Sequence, residues 1–340
     1  MTGYERYRTA CSPDAPVTLG LISNPLAKTN WRSVAHERLK SVMSDPAHAL
    51  STSSVERVPS ALRELLFDRG CNVLAINGGD GTIHALVQAT IEVLSEGREG
   101  ESELPLPIFL LLNGGGMNML ARTFDTRGHP VKTVKRFLNR FEGAPLSSLT
   151  VRHVPLLEVH EPDDQIRYGF IFGSELVLNA LTMYERFGQG YRGLATLFGA
   201  IGAGVVFETE LWRQFGHLLY PPETSLEVDG EVQSPYACAV VSTVPLTLML
   251  GLVRALTRRA RPRRLEGLVI QETDPLKLVS MIPALLLGQP HEQVIPLEDT
   301  SEVRLHGPYT LDGERFIHLE ADAPIRVLGS HRAFHAVWLG

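Results

Sequence analysis

The 340-residue chain has little cysteine: Cys11, Cys71 and Cys238 are scattered, with no spacing that suits a metal or a redox pair. That excludes a disulfide scaffold and fits a reducing, cytoplasmic compartment. Long apolar runs are missing as well. The most apolar stretches, YRGLATLFGAIGAGVVF and PLKLVSMIPALLLG, are short or broken by Pro283, below the roughly 20 residues that span a bilayer. The opening MTGYERYRTACSPDAP holds no apolar core of signal-peptide length. Repeats and low-complexity segments are absent. Charge of one sign is in only small excess, at a formal −6, and with 44% hydrophobic and 21% charged residues the chain can bury a sizeable core, two domains being the natural division.

What is present begins with VLAINGGDGTIHALVQATIEVL, residues 73–94. A buried apolar run meets Asn-Gly-Gly-Asp-Gly-Thr, and a helical period follows with Ile83, Leu86, Val87, Thr90, Ile91 and Leu94 on one face. At such a junction the helix end offers unpaired N–H groups and about half a positive charge, while Gly78, Gly79 and Gly81 let backbone approach a ligand. Two readings stay open: a phosphate site, or a tight corner in which Asp80 or Thr82 caps the helix. The corner is not a Walker A loop, because no Gly-Lys-Ser/Thr follows, and it lacks the spaced glycines of the dinucleotide pattern.

The arrangement recurs in LPIFLLLNGGGMNMLARTF, where the run 108–112 leads into Asn113-Gly114-Gly115-Gly116-Met117-Asn118. Two glycine corners after two buried strands would lie on one edge of a parallel sheet, where one nucleotide could touch both. VTLGLISNPLAKTNWR adds a third strand end, with Pro25 keeping Asn24 extended and Lys28 close behind. With helices expected over 31–43 and 60–67, residues 1–150 read as an open α/β nucleotide-binding domain.

Beyond about residue 150 the pattern changes. RHVPLLEVHEPDDQIRYGFIFGSEL reads as two alternating strands around a polar turn at 161–165, and TSLEVDGEVQSPYACAVVSTV as a hairpin turning at Asp229-Gly230. Short punctuated strands predict a β-sandwich over 151–340, its last residues free to pack back on the first domain. The run RALTRRARPRRLEG carries Arg254, Arg258, Arg259, Arg261, Arg263 and Arg264. A solvated loop is the ordinary fate of such a run, and transient docking on anionic headgroups at a membrane surface is the alternative. No nucleic-acid partner is expected, since no stacking aromatics are interleaved.

The order Asn24-Pro25, Gly78-Gly79-Asp80-Gly81-Thr82, Gly115 to Asn118 and a late Leu311-Asp312-Gly313-Glu314 resembles the catalytic region of the diacylglycerol and sphingosine kinase family, over nearly the whole chain. The GGDGT string is shared with relatives that include the NAD kinases. The resemblance implies an α/β ATP-binding domain followed by a β-sandwich lipid-binding domain, a helical insert at LNALTMYERFGQGYRGLATLFGAIGAG, and an active site in the cleft between the domains.

It further implies ATP and Mg²⁺ as cofactors and a lipid acceptor such as diacylglycerol, ceramide or a sphingoid base. Phosphoryl transfer needs phosphate cradling, charge neutralisation and a base for the acceptor hydroxyl. The cradle would be Gly78, Gly79, Gly81, Thr82, Gly114, Gly115 and Gly116, with Asn24, Lys28 and Asn118 fixing the nucleotide. Asp80 would meet Mg²⁺, and Asp312 and Glu314 would carry the chemistry, Glu314 as base; a further hairpin turn is the other reading of 312–314. A cytoplasmic enzyme, peripheral at the inner face of the membrane, follows, with the oligomeric state left open. Gly116 stands where the family has Thr or Ser, Met119 where Asp is frequent, and His84-Ala85 where Asn-Glu is common. These departures keep two alternatives: a kinase of a soluble hydroxyl acceptor, and a non-catalytic nucleotide-binding relative.

Overall fold

A computed structural model describes residues 2–27, 30, 35–96, 103–115, 119–124, 126, 128–186, 220, 224–245, 247–248, 253–254, 260–274, 277–278, 280–281, 284, 289, 291–317 and 323–340. The chain forms two compact units, 1–153 with 334–340, and 154–333.

In the first unit, helix α1 (Gly3–Ala10) opens on a capping box in which Thr2 and Glu5 satisfy each other's backbone N–H groups. Strands β1 (Leu19–Ser23), β2 (Ala49–Ser51), β3 (Val73–Gly78) and β4 (Ile108–Asn113) are parallel in the order β2-β1-β3-β4. Helices α2 (Ala35–Lys40), α3 (Val58–Arg63), α4 (Asp80–Ser95), α5 (Met119–Thr123) and α6 (Pro130–Phe141) connect or follow them. Strands β1, β3 and β4 are apolar up to their C-terminal ends because both faces are covered. Leu19, Leu21, Val73, Ala75, Leu110 and Leu112 pack with Leu39 of α2 and Val134, Phe137 and Phe141 of α6. Residues of the opposite parity, Ile22, Leu74, Ile76, Phe109 and Leu111, are buried too.

The expected apolar face of α4 is buried at all six positions. The helix expected over 60–67 begins at Val58 and loosens into a π-turn at Glu64–Asp68. Of the helix expected over 31–43, Ala35–Lys40 is helical, and 31–34 lie outside the described residues.

The second unit is a β-sandwich. Its strands are β5 (Val151–His160), β6 (Ile166–Gly169), β7 (Ile171–Ser174), β8 (Leu226–Val228), β9 (Glu231–Gln233), β10 (Cys238–Ser242), a short pair β11 (Thr247–Leu248) and β12 (Val253–Arg254), β13 (Leu265–Ile270), β14 (Val294–Thr300), β15 (Glu302–Leu305), β16 (Tyr309–Leu311), β17 (Glu314–Phe316) and β18 (Ile325–Val337). One antiparallel sheet runs β14-β13-β10-β7-β16-β17. In the other layer β18, β15, β8 and β9 follow in order, and the β5–β6 hairpin pairs with β18. The two layers share one core, with Leu157, Leu226, Val303, Leu305 and Val327 from one and Phe172, Val241, Val269, Tyr309 and Leu311 from the other. The end of β18 belongs to the first unit, where Ala336 pairs with Phe109 of β4 and Phe334 stacks on Phe109 at 4.6 Å.

Helix α7 (Glu175–Arg186) starts the expected helical insert, whose remainder from residue 187 lies outside the described residues. Among the described residues no helix is long and apolar enough to cross a membrane.

Glu175, the first residue of α7, is half-buried, and burial raises its carboxyl from the ordinary 4.5 to about 7. The folded chain therefore holds a proton there that the unfolded chain releases, so this group lowers stability as pH rises from about 4.5 to about 7. Glu175→Gln should flatten that slope. In thermal melts the variant should lose less Tm than the parent between pH 5 and pH 8, and equal losses would remove Glu175 as the cause.

Candidate functional site

Three neighbouring parallel strands end in asparagine: Asn24 just after β1, Asn77 within the end of β3, and Asn113 closing β4. The Asn24 N–H donates to the Asn77 carbonyl at 2.9 Å. Asn30 Nδ2 donates to the carbonyls of Asn24 at 2.8 Å and Asn77 at 3.2 Å. The Asn24 side chain splits its two functions, with Oδ1 accepting the Leu26 N–H at 2.9 Å and Nδ2 donating to Thr82 Oγ1 at 3.0 Å. Asn24 thus ties the loop after β1 to the first turn of α4.

The two glycine corners touch. A Cβ on Gly114 would lie 2.7 Å from Gly78 N and 2.8 Å from Asn77 Oδ1, closer than side-chain carbons come to such atoms. A Cβ on Gly79 would lie 3.3 Å from Gly115 Cα. Only backbone without side chains permits this approach. Helix α4 has Gly79 as its N-cap in extended backbone (φ −92°, ψ −174°), so the N–H groups of its first turn are directed out of the helix end beside the second corner.

Asp80 joins the corners: its Oδ1 accepts the Leu120 N–H at 3.0 Å and so caps α5, the helix that follows the second corner. A carboxylate held in this way presents hard oxygen at a fixed point, which suits a divalent cation whose other ligands are phosphates and waters. Among the described residues no cluster of three or more His, Cys, Asp or Glu could hold a metal without such help.

Among the described residues, the buried Oδ1 atoms of Asn77 and Asn113 accept no hydrogen bond. Leaving a buried acceptor unmade costs about 1–3 kcal/mol, and such atoms mark places that a ligand or water completes. The sequence reading overlooked Asn77, Asn113 and Asn30. The signal was the repetition of Asn before Pro or Gly-Gly at three strand ends. Lys28, Gly116 and Asn118 lie outside the described residues.

In the second unit both Asp-Gly-Glu strings form two-residue hairpin turns with positive φ at both central positions, 49° and 88° at Asp229-Gly230 and 55° and 91° at Asp312-Gly313. Their aspartates do similar work. Asp229 Oδ1 accepts the N–H groups of Ser301 and Glu302, each at 2.9 Å. Asp312 is buried, and its Oδ1 accepts the N–H groups of Phe170 and Ile171, each at 2.9 Å, at the step from β6 to β7. The Asp312 carboxylate, to which the resemblance gives chemistry, bonds backbone at this step. Glu314 is exposed, first in β17.

Within the arginine run, Arg261 pairs with Asp299 at 3.1 Å, and Arg264 donates to the Asp299 carbonyl at 3.2 Å and to Ser301 Oγ. The side chain of Arg254 and residues Arg258 and Arg259 lie outside the described residues.

No protein-family model and no curated protein matches the chain in sequence. Solved structures do match in fold. Two proteins designated candidate diacylglycerol kinases from Bacillus anthracis str. Sterne superpose with TM-scores of 0.61 and 0.62, each at 15% identity over 94% of this chain and 96% and 97% of theirs. A third, designated a diacylglycerol kinase from the same organism, gives 0.58 at 14% identity over 94% of this chain and 96% of its own. The two-part α/β and β-sandwich fold is therefore shared with these proteins.

Gly114→Ala tests the meeting of the corners. The added carbon must displace Gly78 or Asn77, so if the corners cradle phosphate, calorimetric affinity for a nucleoside triphosphate should fall at least tenfold while far-UV dichroism is kept. Gly143→Ala, at φ 69° with nothing within 4 Å, is the control for backbone strain and should leave affinity unchanged. Wild-type affinity in folded Gly114→Ala would remove the corners as a phosphate cradle.

Proposed function

We propose that the chain is an ATP-dependent lipid kinase that moves the γ-phosphoryl group of ATP to the hydroxyl of a lipid such as diacylglycerol, ceramide or a sphingoid base. The observation that carries this reading is the locked pair of glycine corners at the ends of β3 and β4, with the Asp80 carboxylate tied across them. The fold shared with proteins designated diacylglycerol kinases supports it.

In this proposal the backbone N–H groups of Gly79 to Thr82 and of Gly114 and Gly115 bind phosphate oxygens, which costs no reorganisation because the corners are already rigid. Asn24 orients the first turn of α4 through Thr82. Asp80 holds Mg²⁺, which when bound neutralises charge on the phosphates. Glu314 accepts the proton of the attacking hydroxyl, a contribution of about 10² to 10⁴ in rate. Asp312 keeps the turn before Glu314 in place. Transient contact with anionic headgroups is assigned to Arg258, Arg259 and Arg263, since Arg261 and Arg264 already bond the 299–301 segment.

The test is turnover with ATP and Mg²⁺ on a panel of detergent-dispersed lipids and soluble alcohols, using Glu314→Gln and the matched Glu231→Gln. Transfer to a lipid is expected, lowered at least 100-fold by Glu314→Gln with ATP affinity kept, and nearly unchanged by Glu231→Gln. Transfer to soluble acceptors alone would overturn the lipid assignment. Nucleotide binding with no transfer to anything would make the chain a non-catalytic relative.

A further inference from the structure

Glu161, which the sequence places in a polar turn, is buried with its side chain wholly excluded from solvent (0%). Its Oε1 accepts the Tyr309 hydroxyl at 2.6 Å, and its Oε2 lies 2.8 Å from Nε of Arg167 on β6, a charge contact and not an aligned hydrogen bond. The Arg167 guanidinium stands 4.4 Å from the centroid of the Phe316 ring. Phe316 stacks on Tyr309 at 5.0 Å, and Tyr309 on Phe172 at 5.2 Å.

Burial works against the charge on Arg167, but the adjacent Glu161 carboxylate outweighs it and holds the guanidinium above its ordinary range. Burial, then Glu161, pushes the Tyr309 phenol up. The network thus consists of a carboxylate, a guanidinium and a neutral phenol, with no net charge.

Burying a carboxylate is expensive before pairing, and Glu161 is wholly buried while Arg167 is only partly so; apolar side chains of the same volume would stabilise the sandwich as well or better. The network's placement suggests what it does. Tyr309 and Phe316 belong to the β16–β17 hairpin, which also carries Glu314. Strand β17 is three residues long, ends its sheet, and among the described residues has a ladder only with β16. Tyr309 pairs with Phe316 and Leu311 with Glu314, so the Glu314 and Phe316 side chains leave the strand on one face. A slip of one residue would turn Glu314 to the other face. The three-residue ladder resists this weakly. Phe316, held against both Arg167 and Tyr309, resists it through stacking and a cation–π contact.

We propose that Glu161, acting through Arg167, Tyr309 and Phe316, is a positioning residue that fixes the register of β17 and hence the placement of Glu314. Its kinetic consequence rests on the proton-accepting role of Glu314 proposed above; its structural consequence does not.

Both are tested with Phe316→Leu, Phe316→Tyr and Glu161→Gln, each alone and combined with Glu314→Gln. Phe316→Leu and Glu161→Gln should lower kcat at least tenfold with KM for ATP within twofold, and Phe316→Tyr, which keeps the ring, should recover most of the activity. Combined with Glu314→Gln, the same changes should alter kcat less than twofold, because the group they position is gone. If Glu161→Gln does not fold, Phe316→Leu decides. A lower Tm with kcat kept within twofold, or equal losses of kcat in both backgrounds, would overturn the proposal.

Hydrogen exchange separates this inference from the kinase reading. Amides of 314–316 should exchange at least tenfold faster in Phe316→Leu while those of β13 and β14 stay protected, whether or not any acceptor is phosphorylated. Unchanged exchange at 314–316 would overturn the register argument even in an active enzyme. A wild-type chain without transferase activity, or a fully active Glu314→Gln, combined with the expected exchange, would instead overturn the role of Glu314.

Discussion

The approach of Gly114 to the backbone of Asn77 and Gly78 is the contact on which the first unit's candidate site depends. Parallel pairing aligns Gly78 with Asn113 as the last step of the β3–β4 ladder, and both chains must then turn away within one residue. With a Cβ at Gly114 they would collide, at 2.7 Å from Gly78 N. Glycine costs roughly 0.5–1 kcal/mol of backbone entropy relative to alanine, and here that cost is offset by a close approach no other residue allows. Once the corners touch, the remaining parts follow. Asp80 is near enough to cap α5, and Asn24 is near enough to hold Thr82. The first turn of α4 cannot drift away from the loop after β4, which is the condition for two sets of N–H groups to act on one polyphosphate.

The second unit solves a different problem, since two antiparallel layers must pass chain between them at corners where ladder pairing stops. Backbone N–H groups exposed at such corners need acceptors. Asp229 supplies them at 301–302 and Asp312 at 170–171. Each aspartate is also the first central residue of a tight turn, so one residue both bends its own hairpin and satisfies another segment. Arg264 does comparable work beside Asp299 and Ser301, which gives part of the arginine run a local structural occupation.

Sequence patterns that depend on nearest neighbours were legible. Continuous apolar runs gave β1, β3 and β4 because both faces of that sheet are covered, and the 3.6-residue period gave the buried side of α4. Asp-Gly between alternating residues gave both tight turns, as the turn geometry demands. Features set by distant partners were not legible. Glu161 looks solvated beside Pro162, Asp163 and Asp164, and what buries it is a tyrosine 148 residues away. The loosening of α3 at Glu64–Asp68 contains no Gly or Pro, and its Leu65, Leu66 and Phe67 pack into the core. Contact between the two glycine corners could be guessed from their repetition, but the bond from Asn24 to Thr82 joins residues 58 positions apart and leaves no local pattern.

The two Asp-Gly-Glu strings show where a motif divides. Asp and Gly are specified by geometry: positive φ at two successive residues and a carboxylate that reaches backbone N–H groups. Either string meets these requirements, so Asp-Gly carries no information about chemistry. The glutamate that follows is exposed in both, so neither turn requires it. What differs is the support for the strand it opens. Two residues beyond the glutamate, on the same face, β9 carries Gln233, whereas β17 carries Phe316 on the ring of Tyr309 and under Arg167. An edge strand that only closes a hairpin has no use for a buried carboxylate and its guanidinium partner behind it. Constraints of this kind, a glycine contact, a turn dihedral or one anchored ring, fix backbone with few specified residues. A fold built on them can be shared at 15% identity while leaving no sequence match, because most other positions need only be apolar where buried.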